Sequence, residues 1–223
     1  MPDVASAEEL AKEMVLLGEG AGRHTVALVT AMDDPLGRAV GNALEVKEAL
    51  QALDGEGDAE LLDVTVRVTE EMCRLAGVEA DVEKVLRSGA GRDKFLQMIK
   101  AQGGRVDEGL PFSPVLEPLP APSDGFVESI DALEIGLACV ELGAGRMRKE
   151  DRVDPAAGVV IEAPVGVEVR RGEPLAMVHA ASLELVERVT PRLLAAWRLG
   201  SREVRRPPHV LARVDSNGVR RAD

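Results

Sequence analysis

The stretch that decides the fold is residues 25–53, TVALVTAMDDPLGRAVGNALEVKEALQAL. Its first residues, Thr25 to Thr30, form a short apolar run, which predicts a buried strand of the kind found in a parallel sheet covered on both faces. From Gly37 to Leu53 apolar residues recur at helical spacing, which predicts a helix with one face packed on that sheet. The stretch therefore indicates a strand, a loop and a helix in succession.

Periodicity on either side of this unit predicts further elements. Residues 6–17 have the spacing of a helix, with Ser6 as the N-cap and Glu9 as its capping-box partner. Gly, Pro and isolated apolar residues fill 103–124, which predicts a connector between subdomains. Other predicted helices cover 59–76, 81–87, 92–101, 131–142 and 182–197, and other predicted strands cover 126–129, 159–161, 165–169 and 174–179.

These elements predict an α/β fold that becomes α+β toward the C-terminus. We expect part of a mixed, largely parallel sheet with helices, followed by a C-terminal domain rich in β-hairpins over 159–179. The expected division is 1–102 for the first part, 103–124 for the connector, 125–208 for the C-terminal domain and 209–223 for a tail. The chain beyond Arg202 is basic, and we expect its end to be mobile.

Composition narrows the class of protein. The chain has 223 residues with 45% hydrophobic content, which is enough for one large domain or two small ones. A net charge of -12 and a near absence of aromatic residues argue against nucleic-acid binding. Cys73 and Cys139 lie far apart in apolar helical patterns, which favours buried, reduced thiols. No export signal or run of 18 apolar residues is present, so we expect a cytoplasmic protein without a membrane partner.

Two blocks of sequence resemble the signatures of one enzyme family. The first covers residues 30–49. The second, Leu142-Gly143-Ala144-Gly145-Arg146, is followed by Lys149, Asp151 and Asp154. Both are similar to signatures of the pyrimidine-nucleoside phosphorylase and thymidine phosphorylase family, in the right order and at the expected distance. The resemblance implies that 1–102 is the later part of the family's central α/β domain and that 125–208 is its C-terminal domain.

The resemblance also bears on activity. Family members open with a helical domain and a phosphate-binding loop of the Lys-His-Ser-Thr-Gly-Gly or Lys-x-Ser-x-Gly-Gly kind, and they hold the pyrimidine with an Arg, a Ser and a Lys. None of these elements occurs in the 223 residues. Phosphorolysis needs donors around phosphate and positive charge where the base leaves as an anion. We therefore expect this chain alone to be inactive and assign it no catalytic or substrate-binding residue. A mis-started or truncated reading frame and a split gene both stay open.

One set of site residues follows from the resemblance. Family members hold a monovalent cation, usually K⁺, with oxygens from a Gly and a Thr of the phosphate loop and from three downstream residues. These three correspond to Leu36, Ala39 and Glu48, the first two through backbone carbonyls at the start of the predicted helix. The alternative is that Glu48 is an ordinary solvated residue. Without the phosphate loop, three oxygens are too few for a well-formed site.

Other polar residues have structural interpretations. Asp33 and Asp34 before Pro35 are typical of turns and helix entry, and Asn42 can bond to nearby backbone. The mixed charges of Arg146, Lys149, Asp151 and Asp154 predict an ion-pair network rather than a substrate site. Widely spaced histidines without a partner at metal spacing argue for structural roles; they are His24, His179 and His209.

The leading hypothesis is the C-terminal portion of a pyrimidine-nucleoside phosphorylase, which converts a pyrimidine nucleoside and phosphate to the free base and a pentose 1-phosphate. The alternative is a non-catalytic structural or interaction remnant, or half of a split enzyme. A carrier domain of the biotinyl or lipoyl type is disfavoured. Such a domain needs an exposed Lys at a hairpin tip, and no Lys follows Lys149. The family's homodimer forms largely through the N-terminal helical domain, so we do not expect this chain to dimerise normally. An unpaired sheet edge and exposed apolar faces are expected instead.

Overall fold

The structure, a computed structural model, describes residues 1, 3–105, 108–206 and 208–222. Positions 106–107 of the predicted connector, position 207 and the last residue of the predicted tail lie outside them. Most of the predicted helices are confirmed, although the helix predicted over 37–53 begins five residues later than expected. The helices are α1 Val4–Gly20, α2 Asn42–Leu53, α3 Ala59–Ala76, α4 Val82–Arg87, α5 Ala90–Ala101, α6 Ala132–Leu142 and α7 Leu183–Ala196.

The strands build three small sheets. Their bounds are β1 Ala27–Thr30, β2 Ala39–Val40, β3 Val115–Pro120, β4 Gly125–Ile130, β5 Gly158–Ile161, β6 Glu168–Val169, β7 Pro174–Ala180, β8 Trp197–Gly200, β9 Val210–Asp215 and β10 Gly218–Arg221. The strand orders are β1-β9-β10, β2-β5-β7-β3 and β6-β4-β8. The loop of the first signature block therefore connects two sheets, since β1 and β2 flank it.

All strand pairings within the described residues are antiparallel. The prediction of a largely parallel sheet was therefore wrong, although the α/β class holds. A short apolar run is equally compatible with an antiparallel core strand, so the run at β1 could not decide the direction of its neighbour. The predicted hairpins over 159–179 are also only partly confirmed: β5 pairs with β7, whereas β6 pairs with β4.

Side chains just before the helices fix where the helices begin. Asp3, rather than the predicted Ser6, caps α1, because its carboxylate accepts the Ser6 N–H at 2.8 Å. Asp58 caps α3 in the same way, accepting the N–H groups of Glu60 and Leu61. Such caps satisfy amide donors that the first helical turn leaves without a partner.

The end of the chain is a hairpin and not the mobile tail that we predicted. β9 and β10 pair through a two-residue turn, and β9 pairs in turn with β1. The turn is Ser216-Asn217, Gly218 begins β10 with a φ of 119°, and Asp215 accepts the Asn217 N–H at 2.8 Å. The chain end thus pairs with β1, which lies far earlier in the chain and leads into the first signature block.

Two apolar cores hold these layers together. The larger lies between α6, α7 and the sheets containing β4 and β7, and its fully buried members include Ile135, Val159, Leu175 and Leu193. The smaller joins α1 to β1 and β9 through Ala11, Val15, Val29, Ala212 and Val214. In the described parts of the chain, no helix combines the length and apolar character needed to cross a membrane.

The chain-end hairpin is held to α1 by an ion pair that makes its attachment sensitive to acid. Arg221 donates to both carboxylate oxygens of Glu8, at 2.7 and 3.0 Å, and these hydrogen bonds lower the pKa of Glu8. A lowered folded-state pKa means that the stabilisation is present above the ordinary Glu range and is lost as the pH falls through the lowered value.

We therefore expect the carboxyl carbon of Glu8 to titrate below the ordinary Glu range in NMR. In Arg221→Gln the titration should move up toward that range, because the charged donor is gone. An unshifted Glu8 in the unaltered protein would contradict this attachment.

Candidate functional site

The candidate site lies in the loop between β1 and α2. Pro35 and Gly37 are buried in this loop, and Leu36 between them is 38% exposed. Gly37 has a φ of 75°, and a Cβ there would lie 2.6 Å from Oε2 of Glu48. The loop therefore needs a glycine at this position, because the Glu48 carboxylate packs directly against it.

The Glu48 carboxylate closes the loop from α2. Its Oε1 accepts the Arg38 N–H at 2.7 Å, and its Oε2 accepts the Ala39 N–H at 3.3 Å. Glu48 is partly buried as a result. A carboxylate has about four lone-pair directions, so these two hydrogen bonds leave acceptor capacity for a further ligand.

The backbone of Ala39 faces Glu48 rather than the neighbouring strand. Ile161 donates its N–H to the carbonyl of Arg38 at 2.8 Å, while the N–H of Arg38 goes to Glu48, so the carbonyl of Arg38 faces β5. Antiparallel pairs alternate, which makes Ala39 and Val160 the non-hydrogen-bonded pair, with both backbone polar groups of Ala39 turned away from β5. The N–H of Ala39 accordingly reaches Glu48, and its carbonyl is free of the β5 ladder.

Leu36, Ala39 and Glu48 line one cavity of about 570 Å³. Leu36 lies in the loop and Ala39 in β2, so neither is at the start of a helix as we expected; α2 begins only at Asn42. Most of the other wall is apolar, formed by Pro35, Val40, Ala49, Ala52, Leu53, Leu61 and Leu86. Apolar walls strengthen electrostatic interactions with any ion inside them.

These residues fit part of a site for a hard cation. Two backbone carbonyls and a carboxylate are the oxygen ligands that such ions take, and K⁺ in particular is bound by carbonyls. The Arg38 side chain does not oppose this charge strongly, because its Nε lies 3.5 Å from Oδ2 of Asp58. Three donors do not complete a coordination shell, so further oxygens have to come from outside this set.

The two signature blocks pack against each other beside this cavity. Asn42 donates through Nδ2 to the carbonyl of Ala144 at 2.7 Å, and Ala43 donates its N–H to the carbonyl of Pro155 at 2.9 Å. We expected that Asn42 can bond to nearby backbone, but the backbone partner of its side chain is 102 residues away along the chain. A Cβ added at Gly158 would lie 2.3 Å from the carbonyl oxygen of Val40. The chain thus joins both blocks in one structural unit.

Comparison with known proteins identifies this unit. Residues 126–200 match the pyrimidine nucleoside phosphorylase C-terminal domain. The chain is 39% identical to thymidine phosphorylase of Mycobacterium tuberculosis over 215 residues, which are 96% of this chain and 50% of that protein. It is 41% identical to pyrimidine-nucleoside phosphorylase of Bacillus subtilis over 186 residues, 78% of this chain and 43% of that protein.

The chain belongs to the pyrimidine-nucleoside phosphorylase family. It spans about half the length of the curated relatives that it matches, including thymidine phosphorylase of Rhizobium meliloti, of which it covers 52% at 35% identity. The match to the C-terminal domain begins at residue 126 and ends at residue 200. The loop between β1 and α2, α2 itself and the chain-end hairpin therefore lie outside the domain match.

The charged residues of the second family signature do not form the ion-pair network that we predicted. No salt bridge within the described residues joins Arg146, Lys149, Asp151 and Asp154 to one another. Asp151 instead accepts the N–H groups of Met147 and Arg148, and Asp154 accepts that of Ala156 at 2.9 Å. The two carboxylates thus stabilise the turns of this segment through its backbone, which residue types alone did not reveal.

The cysteines and histidines are scattered over the fold. Cys139 is buried, which raises the pKa of its thiol to about 12, whereas Cys73 is only partly buried. His24 is exposed, and burial lowers the pKa of the half-buried His179. Within the described ranges, no group of three or more His, Cys, Asp or Glu side chains has the arrangement of a metal site. The candidate cation site is not a group of this kind, since two of its three oxygens belong to the backbone.

A charged cluster that the sequence did not reveal lies next to the loop between β1 and α2. Arg206 contacts Asp34 at 2.6 Å and also donates to Glu60 in the first turn of α3. His209 is buried beside them, with Nδ1 3.5 Å from Oε2 of Glu60. Burial raises the pKa of Glu60 even though Arg206 and His209 lower it. Asp34 is thus partly buried in an ion pair rather than a simple turn residue, and only the fold brings Arg206 to it.

Proposed function

We propose that this chain is the C-terminal portion of a pyrimidine-nucleoside phosphorylase and that it supplies oxygen ligands for a monovalent cation. The reaction of the complete enzyme converts a pyrimidine nucleoside and phosphate to the free base and a pentose 1-phosphate. The observation that best supports this proposal is that Leu36, Ala39 and Glu48 line one cavity. This cavity lies beside the contact between the two family signature blocks. The relatives named as phosphorylases support the same assignment.

The cation role depends on three groups of this chain. Glu48 holds the loop closed through the amides of Arg38 and Ala39 and offers its remaining lone pairs to the ion. The carbonyls of Leu36 and Ala39 add two neutral oxygens. K⁺ bound there would supply positive charge close to the phosphate of the complete enzyme. The remaining oxygens would come from the phosphate loop, so we expect the chain alone to bind K⁺ weakly.

The edge of β1 is the surface on which the rest of the phosphorylase would pack. β1 is an edge strand, and residues 25–32 carry no charge, although charged side chains usually protect such edges. Residues 25–33 line a groove of about 550 Å³ with α1, beside the exposed Leu10, Met14 and Met32. Relatives have roughly as much chain again as the part matched here, and this second part is the occupant that we propose. The family's dimer contact would also belong to it.

A chimaera tests the function directly. It joins the part of Mycobacterium tuberculosis thymidine phosphorylase that has no counterpart here to the full 223-residue chain. We expect phosphate-dependent release of thymine or uracil from thymidine or uridine by the chimaera and none by the chain alone. Base release by the chain alone would contradict our assignment of phosphate and base binding to the part of the enzyme outside this chain. A folded chimaera without activity would contradict the proposed function.

Glu48→Gln in the same chimaera tests the cation role. The glutamine side chain can still accept an amide hydrogen bond but lacks the charge, so the loop should persist while K⁺ binding weakens. We expect the K⁺ concentration for half-maximal activity to rise about tenfold or more, the range seen when groups that shape a metal site are lost. Glu56→Gln, at an exposed position after α2, is the matched control and should behave like the unaltered chimaera. If both variants needed the same K⁺ concentration for half-maximal activity, Glu48 would not be a ligand of the cation.

We also propose a cytoplasmic location. Both cysteines of the chain are free, and the high pKa of the Cys139 thiol keeps it protonated and unreactive. Free thiols are typical of reducing compartments. Fractionation of the cells that make the protein tests this location, and recovery in a membrane or extracellular fraction would contradict it.

A further inference from the structure

The Arg206 cluster lies where the loop of the candidate cation site begins. Nη2 of Arg206 is 2.6 Å from Oδ2 of Asp34, and Nη1 donates to Oε2 of Glu60. The side chains of Arg206 and Asp34 are 12% and 13% exposed, so the pair is largely shielded from water. Asp34 is only two residues before Leu36, whose carbonyl is one of the proposed ligands.

The path of the chain explains how such a distant arginine reaches this loop. β1 and β9 run antiparallel, and Thr30 is paired with Val210. The ladder continues beyond the strands, because Ala31 donates its N–H to the carbonyl of His209 at 2.7 Å. The chain before β9 therefore runs beside the chain after β1, and this brings Arg206 to Asp34.

The first turn of α3 anchors the loop at two points. Arg206 links Asp34, near the beginning of the loop, to Glu60. Arg38, near its end, lies 3.5 Å from Asp58, the N-cap of α3. The segment that carries the carbonyls of Leu36 and Ala39 is thus held between two ion pairs to the same helix terminus.

We propose that Arg206 is a positioning residue for the cation loop. Its guanidinium bridges Asp34 and Glu60 and so fixes where the Leu36 and Ala39 carbonyls lie relative to Glu48. A lysine could not replace it fully, because a single ammonium lacks the planar fork that contacts two carboxylates at once. Arg206 lies beyond residue 200, where the match to the C-terminal domain ends. The inference rests on the proposed function only in naming the loop as a cation site.

The surroundings of Arg206 make its loss hard to compensate. Nε and Nη2 of Arg206, Oδ2 of Asp34 and both ring nitrogens of His209 have no hydrogen-bond partner of good geometry among the described residues. Removing the guanidinium would leave Asp34 and Glu60 facing each other in a site with little water. The loop is the freer of the two elements, since Glu60 is held in a helix.

The test measures amide hydrogen exchange by NMR in the full 223-residue chain without K⁺. In Arg206→Gln, the amides of Arg38 and Ala39, which donate to Glu48, should exchange about tenfold faster or more, in line with the loss of a supporting contact. Core amides such as that of Val178 report on global unfolding and should keep their rates. Arg206→Lys should give a smaller acceleration and provides a second variant if Arg206→Gln folds poorly.

Arg213→Gln is the matched control. Arg213 is a similarly buried arginine of the same chain end, but it pairs with Glu71 and Asp215, away from the loop. Its replacement should leave the exchange of Arg38 and Ala39 unchanged. Unchanged exchange of these amides in folded Arg206 variants, or equal acceleration in Arg213→Gln, would overturn the proposal.

The chimaera separates this inference from the proposed function. There, Arg206→Gln should raise the K⁺ concentration for half-maximal activity about tenfold, whereas Arg213→Gln should not. An active chimaera that needs no K⁺ would contradict the cation role alone, while the exchange rates would still decide whether Arg206 positions the loop.

Discussion

Gly158→Ala is expected to destabilise the fold by roughly 3 kcal/mol or more, the sum of a backbone clash and an unfavourable backbone conformation. Gly158 has a φ of 156°, and a Cβ there would lie 2.3 Å from the carbonyl oxygen of Val40 and 3.0 Å from Cα of Gly41. Neither neighbour can move without separating β2 from β5. The substitution therefore strikes the contact between β2, in the first signature block, and β5.

Denaturant unfolding of the variant measures this effect. Gly136→Ala is the matched control, because a Cβ at Gly136 in α6 would meet no atom within 4 Å. Alanine should be tolerated there and should stabilise the helix by about 0.5–1 kcal/mol. A Gly158→Ala protein as stable as the unaltered chain would show that β2 and β5 are not in the close contact described.

Leu193→Ala is expected to cost about 3–4 kcal/mol of unfolding free energy. Leu193 is fully buried on the inner face of α7, in the larger core that α7 shares with α6 and β7. Truncation removes apolar contacts and leaves a cavity that rigid neighbours cannot fill. Leu183→Ala, at a position 54% exposed on the same helix, should change the free energy by less than about 0.5 kcal/mol. Similar losses in both variants would contradict this placement of α7.

The helices could be predicted from the sequence because their signals are local. The predicted and observed bounds of α3 agree at both ends, and those of α4, α6 and α7 differ by no more than a single residue at either end. Apolar spacing and acidic caps such as Asp58 and Asp131 define these segments without reference to the rest of the chain.

The sheets depended on contacts that the sequence does not reveal locally. β3 was hidden in the predicted connector by Pro118 and Pro120, which are tolerated because β3 is the edge strand beside β7. The Asn217-Gly218 pair is a recognised hairpin signal and could have identified β9 and β10. The pairing of β9 with β1 joins opposite ends of the chain, so periodicity could not predict it.

The candidate site also has one part that the sequence indicated and one part that only the fold reveals. The resemblance pointed to Leu36, Ala39 and Glu48, and the fold brings these three to one cavity, while their role as cation ligands stays a prediction. Arg206 could not be identified from the sequence, because it is one of several arginines in a basic chain end and no local pattern distinguishes it from the others. Its partners, Asp34 and Glu60, become neighbours only when the chain end pairs with β1.

The most direct test of the cation role is anomalous diffraction from crystals of the active chimaera soaked in Tl⁺, which substitutes for K⁺. We expect an anomalous peak in contact with the carbonyl oxygens of Leu36 and Ala39 and with the carboxylate of Glu48, and no such peak in Glu48→Gln. A K⁺-dependent chimaera whose Tl⁺ peak lies away from these three oxygens would contradict it.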